Sequence, residues 1–321
     1  MTEKKNLVIL TGPTAVGKTK LSIELAKRIS GEIISADSMQ VYKHMDIGSA
    51  KIMPEEMDGV VHHLIDVLEP TEDFDVFRFQ QMAKEKMQEI YERGHIPVIV
   101  GGTGFYIQAL LYDIDFSQSQ EDSQLRMQLE QFARENGAHA LHEILAQEDP
   151  QAAEEIHENN VKRVIRAIEY HRQTGEKISD HNREQRAKES PYNFCYFVLN
   201  DDRTVLYDRI DRRVDRMLND GLVQEVEKLL AMGCRRGSTA MQGLGYKEII
   251  AYLEGDTDLE RAVYLIKRDT RHFAKRQITW FKREPDVVWV QKDALGQDDN
   301  TILAYMAEHL QKRNIPEGRN V

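Results

Sequence analysis

Residues 12–19 read Gly12-Pro13-Thr14-Ala15-Val16-Gly17-Lys18-Thr19, a full match to the phosphate-cradling pattern G-x-x-x-x-G-K-[ST]. The apolar run Leu7-Val8-Ile9-Leu10 precedes it as a strand, and Leu21, Ile23, Leu25 and Ala26 follow at helical spacing. Gly12 and Gly17 let the backbone curl until several N–H groups face one anion. The helix that begins near Lys18 adds the positive end of its dipole. Lys18 supplies a mobile cation for phosphate oxygens, and Thr19 a hydroxyl for Mg²⁺. A glycine-rich turn that binds nothing is the plain alternative, and the flanking strand and helix argue against it. The loop predicts a bound di- or triphosphate.

Outward from the loop, short apolar runs at 7–11, 32–36, 60–67 and 96–101 read as strands, with helices near 18–30, 75–93 and 104–112 between them. Such alternation predicts a parallel sheet with helices on its faces. From about Asp115 the texture turns polar, acidic and helical, near 121–135, 138–147, 149–157 and 160–174. The next strand is Phe194-Cys195-Tyr196-Phe197-Val198-Leu199. The division expected is therefore an α/β core over 1–114, a helical insertion over 115–190 and core completion over 191–321. Polar flanks at 117–120 and 182–191 are its expected hinges. Helices near 203–218, 221–232, 240–254 and 258–283, a strand at 287–290 and a helix near 299–312 complete the chain.

Bulk composition narrows the setting. A 321-residue chain with 41% hydrophobic residues can build one large or two modest cores. No apolar run approaches a membrane span and the N-terminus lacks a secretory stretch, so a cytoplasmic protein without a membrane partner is expected. Cys195 and Cys234 lack metal-ligand spacing and suit a reducing compartment. The net charge of −11 argues alone against nucleic acid, but the charge is uneven. Residues 121–160 set ten acids against Arg126 and Arg134. Residues 261–283 set Arg261, Lys267, Arg268, Arg271, Lys275, Arg276, Lys282 and Arg283 against Asp269 alone. Such a stripe suits a phosphate backbone, or equally a solvated helix face.

Several further residues have the chemistry of a site. Asp37 stands past the strand 32–36, where a carboxylate borders the ligand crevice of a parallel sheet and can hold Mg²⁺, act as a base, or merely cap a helix. Gly101-Gly102-Thr103-Gly104 ends another strand with small residues and one hydroxyl, where a nucleoside-triphosphatase more often carries a metal-organising acid. His62 and His63, adjacent on a strand, face opposite ways and make a poor chelate, so no metal is expected there. Arg209, Arg212, Arg213 and Arg216 alternate with Asp208, Asp211 and Asp215; most should form surface pairs, and one or two could grip a diphosphate. In 270–281, basic groups interleave with aromatics, which suits a nucleic-acid backbone and stacked bases, or an anchored helix.

Taken together, GPTAVGKT at 12–19, DSMQVYKHMDIGSAK at 37–51, HHLIDV at 62–67, GGTGFYI at 101–107, NNVKRVIRAIE at 159–169, RIDRRVDRML at 209–218, GLGYKE at 243–248 and TRHFAKRQITWF at 270–281 resemble the bacterial tRNA dimethylallyltransferases. These stretches span nearly the whole chain and are jointly specific. Glu158 departs from the family's usual proline and touches only the turn into the next helix. The zinc-finger extension of eukaryotic members is absent, so a bacterial-type enzyme is expected.

The resemblance implies a phosphate-loop NTPase-like parallel sheet with an all-helical insertion. It implies transfer of a dimethylallyl group from its diphosphate to N6 of the adenosine beside the anticodon, position 37 of tRNAs reading codons that begin with U. By family match, Asp37 is the general base, Thr103 orients the amine, and Lys18 and Arg213 serve the diphosphate, with Mg²⁺ on Thr19 the implied cofactor. Asp37, Ser38, Met39, Gln40, Thr103, Arg126, Lys162, Arg163, Val164, Ile165, Arg166, Lys275, Arg276 and Gln277 line the implied tRNA path. The insertion would clamp the anticodon stem, and a monomer is expected. Two rivals predict different outcomes: a phosphate-loop kinase would consume ATP without RNA, and a nucleotide-gated RNA-binding module would retain tRNA without product.

Overall fold

The computed structural model describes residues 4–116 and 123–318; the expected hinge at 117–120 lies outside them. Its sheet has six strands: β1 (Asn6–Thr11), β2 (Gly31–Ala36), β3 (His62–His63), β4 (Ile96–Gly101), β5 (Asn193–Asn200) and β6 (Val287–Gln291). All pairings are parallel, in the order β3-β2-β4-β1-β5-β6. In β1 the residues Leu7, Val8, Ile9 and Leu10 are at most 1% exposed, and Phe197, Val198 and Leu199 of β5 are fully buried. A parallel strand covered on both faces must be apolar throughout, which is why these strands show as unbroken runs.

Three helices cover the first strands: α1 (Lys18–Arg28), α2 (Val76–Glu92) and α3 (Gly104–Leu111). On α1, Leu21 and Leu25 pack into the apolar cluster under the sheet, each contributing about 1.5–3 kcal/mol by burial. By its internal contacts the chain divides into a unit of residues 1–111 with 191–321 and a second unit, Tyr112–Ser190. The second unit is helical: α4 (Ser123–Glu148), α5 (Pro150–Glu155), α6 (Val161–Thr174) and α7 (Ile178–Ala187). Gly137, at φ 88° and ψ 163°, interrupts α4, so two helices meet there. Leu129, Leu141, Leu145, Val164, Ile165 and Ile168 form the core of this unit. Fully buried Asp149 caps α5 through the Ala152 N–H and accepts from the N–H and hydroxyl of Ser179, fixing the start of α7.

The first unit closes with α8 (Arg203–Asn219), α9 (Leu222–Ala231), α10 (Tyr246–Leu253), α11 (Leu259–Phe281) and α12 (Asp299–Lys312). Three elements differ from the sequence expectation. The strand expected over 60–67 shrinks to β3, because Leu64 and Asp66 adopt left-handed φ of 61° and 53° and turn the chain out of the sheet. The helix expected over 240–254 splits into a 3-10 turn at Ala240–Gln242 and α10, since Gly245 sits at φ 94°. Residues 182–187, expected within a polar hinge, belong to α7.

Candidate active site

The carboxyl ends of β1, β2 and β4 converge on one crevice edge, as a doubly wound sheet requires. Thr11 donates its hydroxyl to Gly101 O at 2.7 Å, and the Thr103 N–H reaches Ala36 O at 3.3 Å. Ala36 and Gly101 are register partners, so Asp37 and Thr103 leave neighbouring strands almost side by side. Only glycine fits at 101, where a Cβ would stand 2.2 Å from Ala36 O.

The loop itself is curled by left-handed residues, with φ 64° at Ala15 and 93° at Gly17. No side chain caps α1 and its first turn carries no acid, which leaves its leading N–H groups and dipole for an external anion. Lys18 folds over the loop and donates to Gly12 O at 2.9 Å and Pro13 O at 3.0 Å. Burial lowers its pKa to about 8, opposed by Asp37 and aided by Arg213. Arg213, from α8, donates to Thr14 Oγ1 at 3.3 Å; burial lowers its pKa too, while Asp37 again opposes. Two desolvated cations and one carboxylate thus share a field, with the positive sign in excess. Asp37 Oδ1 accepts the N–H of Met39 at 2.9 Å and of Gln40 at 3.4 Å, which locks its rotamer and leaves Oδ2 outside those bonds. Thr19 is exposed on the first turn of α1.

Gln277 of α11 joins the two halves of this edge. Its Oε1 accepts the Thr14 N–H at 2.9 Å and its Nε2 donates to Gly102 O at 2.9 Å. The side chain is 6% exposed, so it braces the loop against the Gly102 turn and is not offered to RNA, contrary to the sequence expectation. One turn on, the Trp280 indole lies where a Cβ at Gly104 would come within 2.3 Å, and it meets Phe105 edge-on at 6.2 Å. Behind it Glu284, its carboxyl pushed up to about 7 by burial, accepts from Gln108 Nε2 at 3.3 Å.

The remaining RNA-path residues divide by environment. Lys275 and Arg276 are exposed and, with His272, Thr279, Trp280 and Arg283, line a cavity of about 460 Å³. Three of the preceding cations of α11 are ion-paired: Lys267 with Asp215 at 2.5 Å, Arg268 with Asp269 at 2.7 Å and Arg271 with Asp211 at 2.5 Å. The solvated-face reading therefore suits the first half of the stripe, and the second half stays open. Of the α8 arginines, Arg209 pairs with Asp201 and Arg212 with Asp208, which singles out Arg213 at the loop. Ser38, Met39 and Gln40 are half-buried beside Asp37.

In the helical unit Lys162 and Arg163 are exposed and Arg166 half-buried. Val164 and Ile165 correct the expectation: at 0% and 3% exposure they belong to the apolar core of that unit and cannot touch RNA. Arg126 spends two of its nitrogens on Glu169, at 3.0 and 2.8 Å, so its first role is an ion pair with a buried carboxylate. Glu158, at the family's proline position, pairs with His139 at 2.8 Å in an ordinary turn.

Two supports were not foreseen. Glu225 of α9 accepts the N–H groups of Asp46, Ile47 and Gly48 and the Tyr246 hydroxyl, within 2.7–3.0 Å, and so pins the segment that follows Asp37. Lys292, just past β6, reaches Val16 O at 3.3 Å. Neither lies near the loop in sequence, and an isolated Glu or Lys carries no motif.

A phosphate loop with flanking cations, facing a carboxylate and a hydroxyl and lacking an acid after β4, defines a phosphate-loop group-transfer enzyme. Residues 40–284 match the family model described as IPP transferase. The chain is 62% identical over 309 residues to the tRNA dimethylallyltransferase of Lachnoclostridium phytofermentans, covering 96% of this chain and 98% of that one. The crystal structure of the tRNA isopentenylpyrophosphate transferase of Bacillus halodurans superposes with TM-score 0.73 at 45% identity, over 97% and 98% of the two chains. A eukaryotic dimethylallyltransferase described as acting on tRNA superposes with TM-score 0.82 at 28% identity, over 98% of this chain and 81% of that one. The chain belongs to the IPP transferase family, the tRNA dimethylallyltransferases. These relatives support prenyl transfer and not the kinase alternative. Among the described residues no helix is long and apolar enough to cross a membrane.

Proposed function

We propose that the chain moves a dimethylallyl group from dimethylallyl diphosphate to N6 of the adenosine beside the anticodon, position 37 of tRNAs that read codons beginning with U. The observation that carries this reading is the convergence of Asp37 and Thr103 on the loop that Lys18 and Arg213 make electropositive. In the reaction the N6–C1 bond forms as the C1–O bond breaks, diphosphate leaves, and the N6 proton passes to Asp37. The exocyclic amine is a weak nucleophile because its lone pair is delocalised into the ring, so a fixed carboxylate and an orienting Thr103 hydroxyl are needed. Charge gathering on the departing diphosphate is met by Lys18, Arg213 and the N–H groups of the loop. Trp280 meets Phe105 edge-on beside Gly104, so an apolar pair borders the Thr103 turn.

Among the described residues no cluster of three or more acids, histidines or cysteines could hold a metal. Thr19 would hold Mg²⁺ through its hydroxyl, and the ion would neutralise leaving-group charge when bound. Lys275 and Arg276, with Lys162, Arg163 and Arg166, supply cations for the tRNA backbone, and the helical unit serves the anticodon stem. The expected working state is a cytoplasmic monomer. Incubation of tRNA with dimethylallyl diphosphate and Mg²⁺, beside an ATP control, followed by nucleoside mass spectrometry, tests the reading. N6-prenylated adenosine supports it; ATP turnover without a modified nucleoside overturns it.

A further inference from the structure

Lys292 is a buried base that the reaction above does not use. It sits immediately past β6, 7% exposed, with Nζ 3.3 Å from Val16 O and 3.2 Å from where a Cβ at Gly17 would stand. The carboxylates around it are engaged elsewhere. Asp201 holds Arg209 at 2.7 Å and Gln297 at 2.6 Å, and Asp299 holds Lys20 at 2.8 Å. Among the described residues, then, the hydrogen bond of this ammonium goes to a carbonyl and not to a carboxylate. Burial first and then the Arg209 charge lower its pKa, and the more distant Asp299 and Asp201 only partly oppose them.

The partner it has chosen matters. Val16 C=O and Gly17 N–H belong to one planar trans peptide, so the two bonds point in opposite directions. A cation that holds the carbonyl fixes this peptide plane and turns the Gly17 N–H away from Lys292. Gly17, at φ 93°, is the residue whose left-handed conformation completes the curl of the loop.

We propose that Lys292 is a positioning residue for the donor's diphosphate: it sets the Val16–Gly17 peptide for anion capture, and the bound diphosphate supplies the negative charge that its buried ammonium lacks. This rests on the diphosphate reading of the loop. It differs from the role of Lys18, which meets the phosphate oxygens directly. A lysine held only for packing would give a different response to removal. Deleting an uncompensated buried charge does not weaken the empty protein, whereas it removes part of the stabilisation that an anion brings.

The test compares wild type, Lys292→Met and Lys292→Arg by calorimetric titration with inorganic diphosphate and Mg²⁺, by tRNA binding, and by melting with and without diphosphate. In Lys292→Met the diphosphate Kd should rise about 2- to 10-fold, as when one loop N–H is no longer held toward the anion. Its tRNA affinity should stay as in wild type, its empty-state Tm should be equal or higher, and the Tm gain from diphosphate should shrink. Lys292→Arg should recover part of the diphosphate affinity. Wild-type diphosphate affinity in Lys292→Met overturns the proposal, as does an equal loss of diphosphate and tRNA binding with a lowered empty-state Tm. Failure of wild type itself to bind diphosphate would instead overturn the diphosphate reading.

Discussion

Replacing Gln277 by leucine removes the strut between the phosphate loop and the Thr103 turn while nearly preserving volume. Two backbone groups, the Thr14 N–H and the Gly102 carbonyl, lose their 2.9 Å partners in a buried place. Each orphaned group costs about 1–3 kcal/mol, and the added apolar burial of leucine offsets about 1–2, which leaves a net loss of about 0–5 kcal/mol, centred near 2.5. That loss is small enough for the variant to fold. Its functional cost is larger, because Lys18 and Thr103 are then aligned by separate elements, and a misplacement near 1 Å costs on the order of 100-fold in kcat/KM. Urea unfolding with steady-state prenylation measures both. A Gly102→Ala variant, whose Cβ would stand 2.3 Å from Gln277 Nε2, completes a double-mutant cycle. If the strut is the common cause, the two losses are strongly non-additive, since either change breaks the same contact. Additive losses, or wild-type kcat/KM in Gln277→Leu, would refute the reasoning.

Other perturbations probe separate parts of the site. With its pKa lowered to about 8, Lys18 in the free enzyme loses its proton as pH rises through that value, so donor capture should decline above about pH 8. The same shift makes folding stability rise between about pH 8 and 10.5, because the unfolded lysine holds its proton longer than the folded one. A pH profile of kcat/KM for the donor that stays flat to pH 10 contradicts this. Arg276→Ala should weaken tRNA binding and reduce the slope of log K against log salt by about 1, with donor binding unaffected; an unchanged slope would mark the exposed half of α11 as bystander. Gly104→Ala should drive a methyl into the rigid Trp280 ring, 2.3 Å from Cδ1, and lower the melting temperature together with activity; unaltered behaviour would show that the turn has room to relax.

Much of the frame is written locally. β1, β4 and β5 are apolar along most of their length because helices cover both sides, and such runs stand out in a charged chain. The phosphate loop carries its own conformational demands in its glycines, and Asp37 and Thr103 are legible as residues that leave strands at the same end of the sheet. What the sequence hides depends on distance. Gln277 meets Thr14 across 263 positions and Lys292 meets Val16 across 276, and no spacing rule links such pairs. Charge patterning likewise cannot separate Lys267, paired to α8, from Lys275 two turns later. The motif containing Val164 and Ile165 runs around a whole helix, so a match by stretch includes its inward side; only packing shows that these two point into the core. β3 is shorter than its apolar run suggests for a similar reason, since nothing in an apolar composition announces the left-handed turns at Leu64 and Asp66.

The central claim is that Asp37 takes the proton from the adenosine amine at a site whose loop holds the diphosphate. The most direct test is single-turnover prenylation of tRNA by wild type and Asp37→Ala, with tRNA affinity measured in parallel and the modified nucleoside mapped by mass spectrometry. Asp37→Ala should bind tRNA as wild type does and lose about 10²- to 10⁴-fold in chemical rate, with residual product at the same adenosine. An undiminished single-turnover rate would contradict the claim.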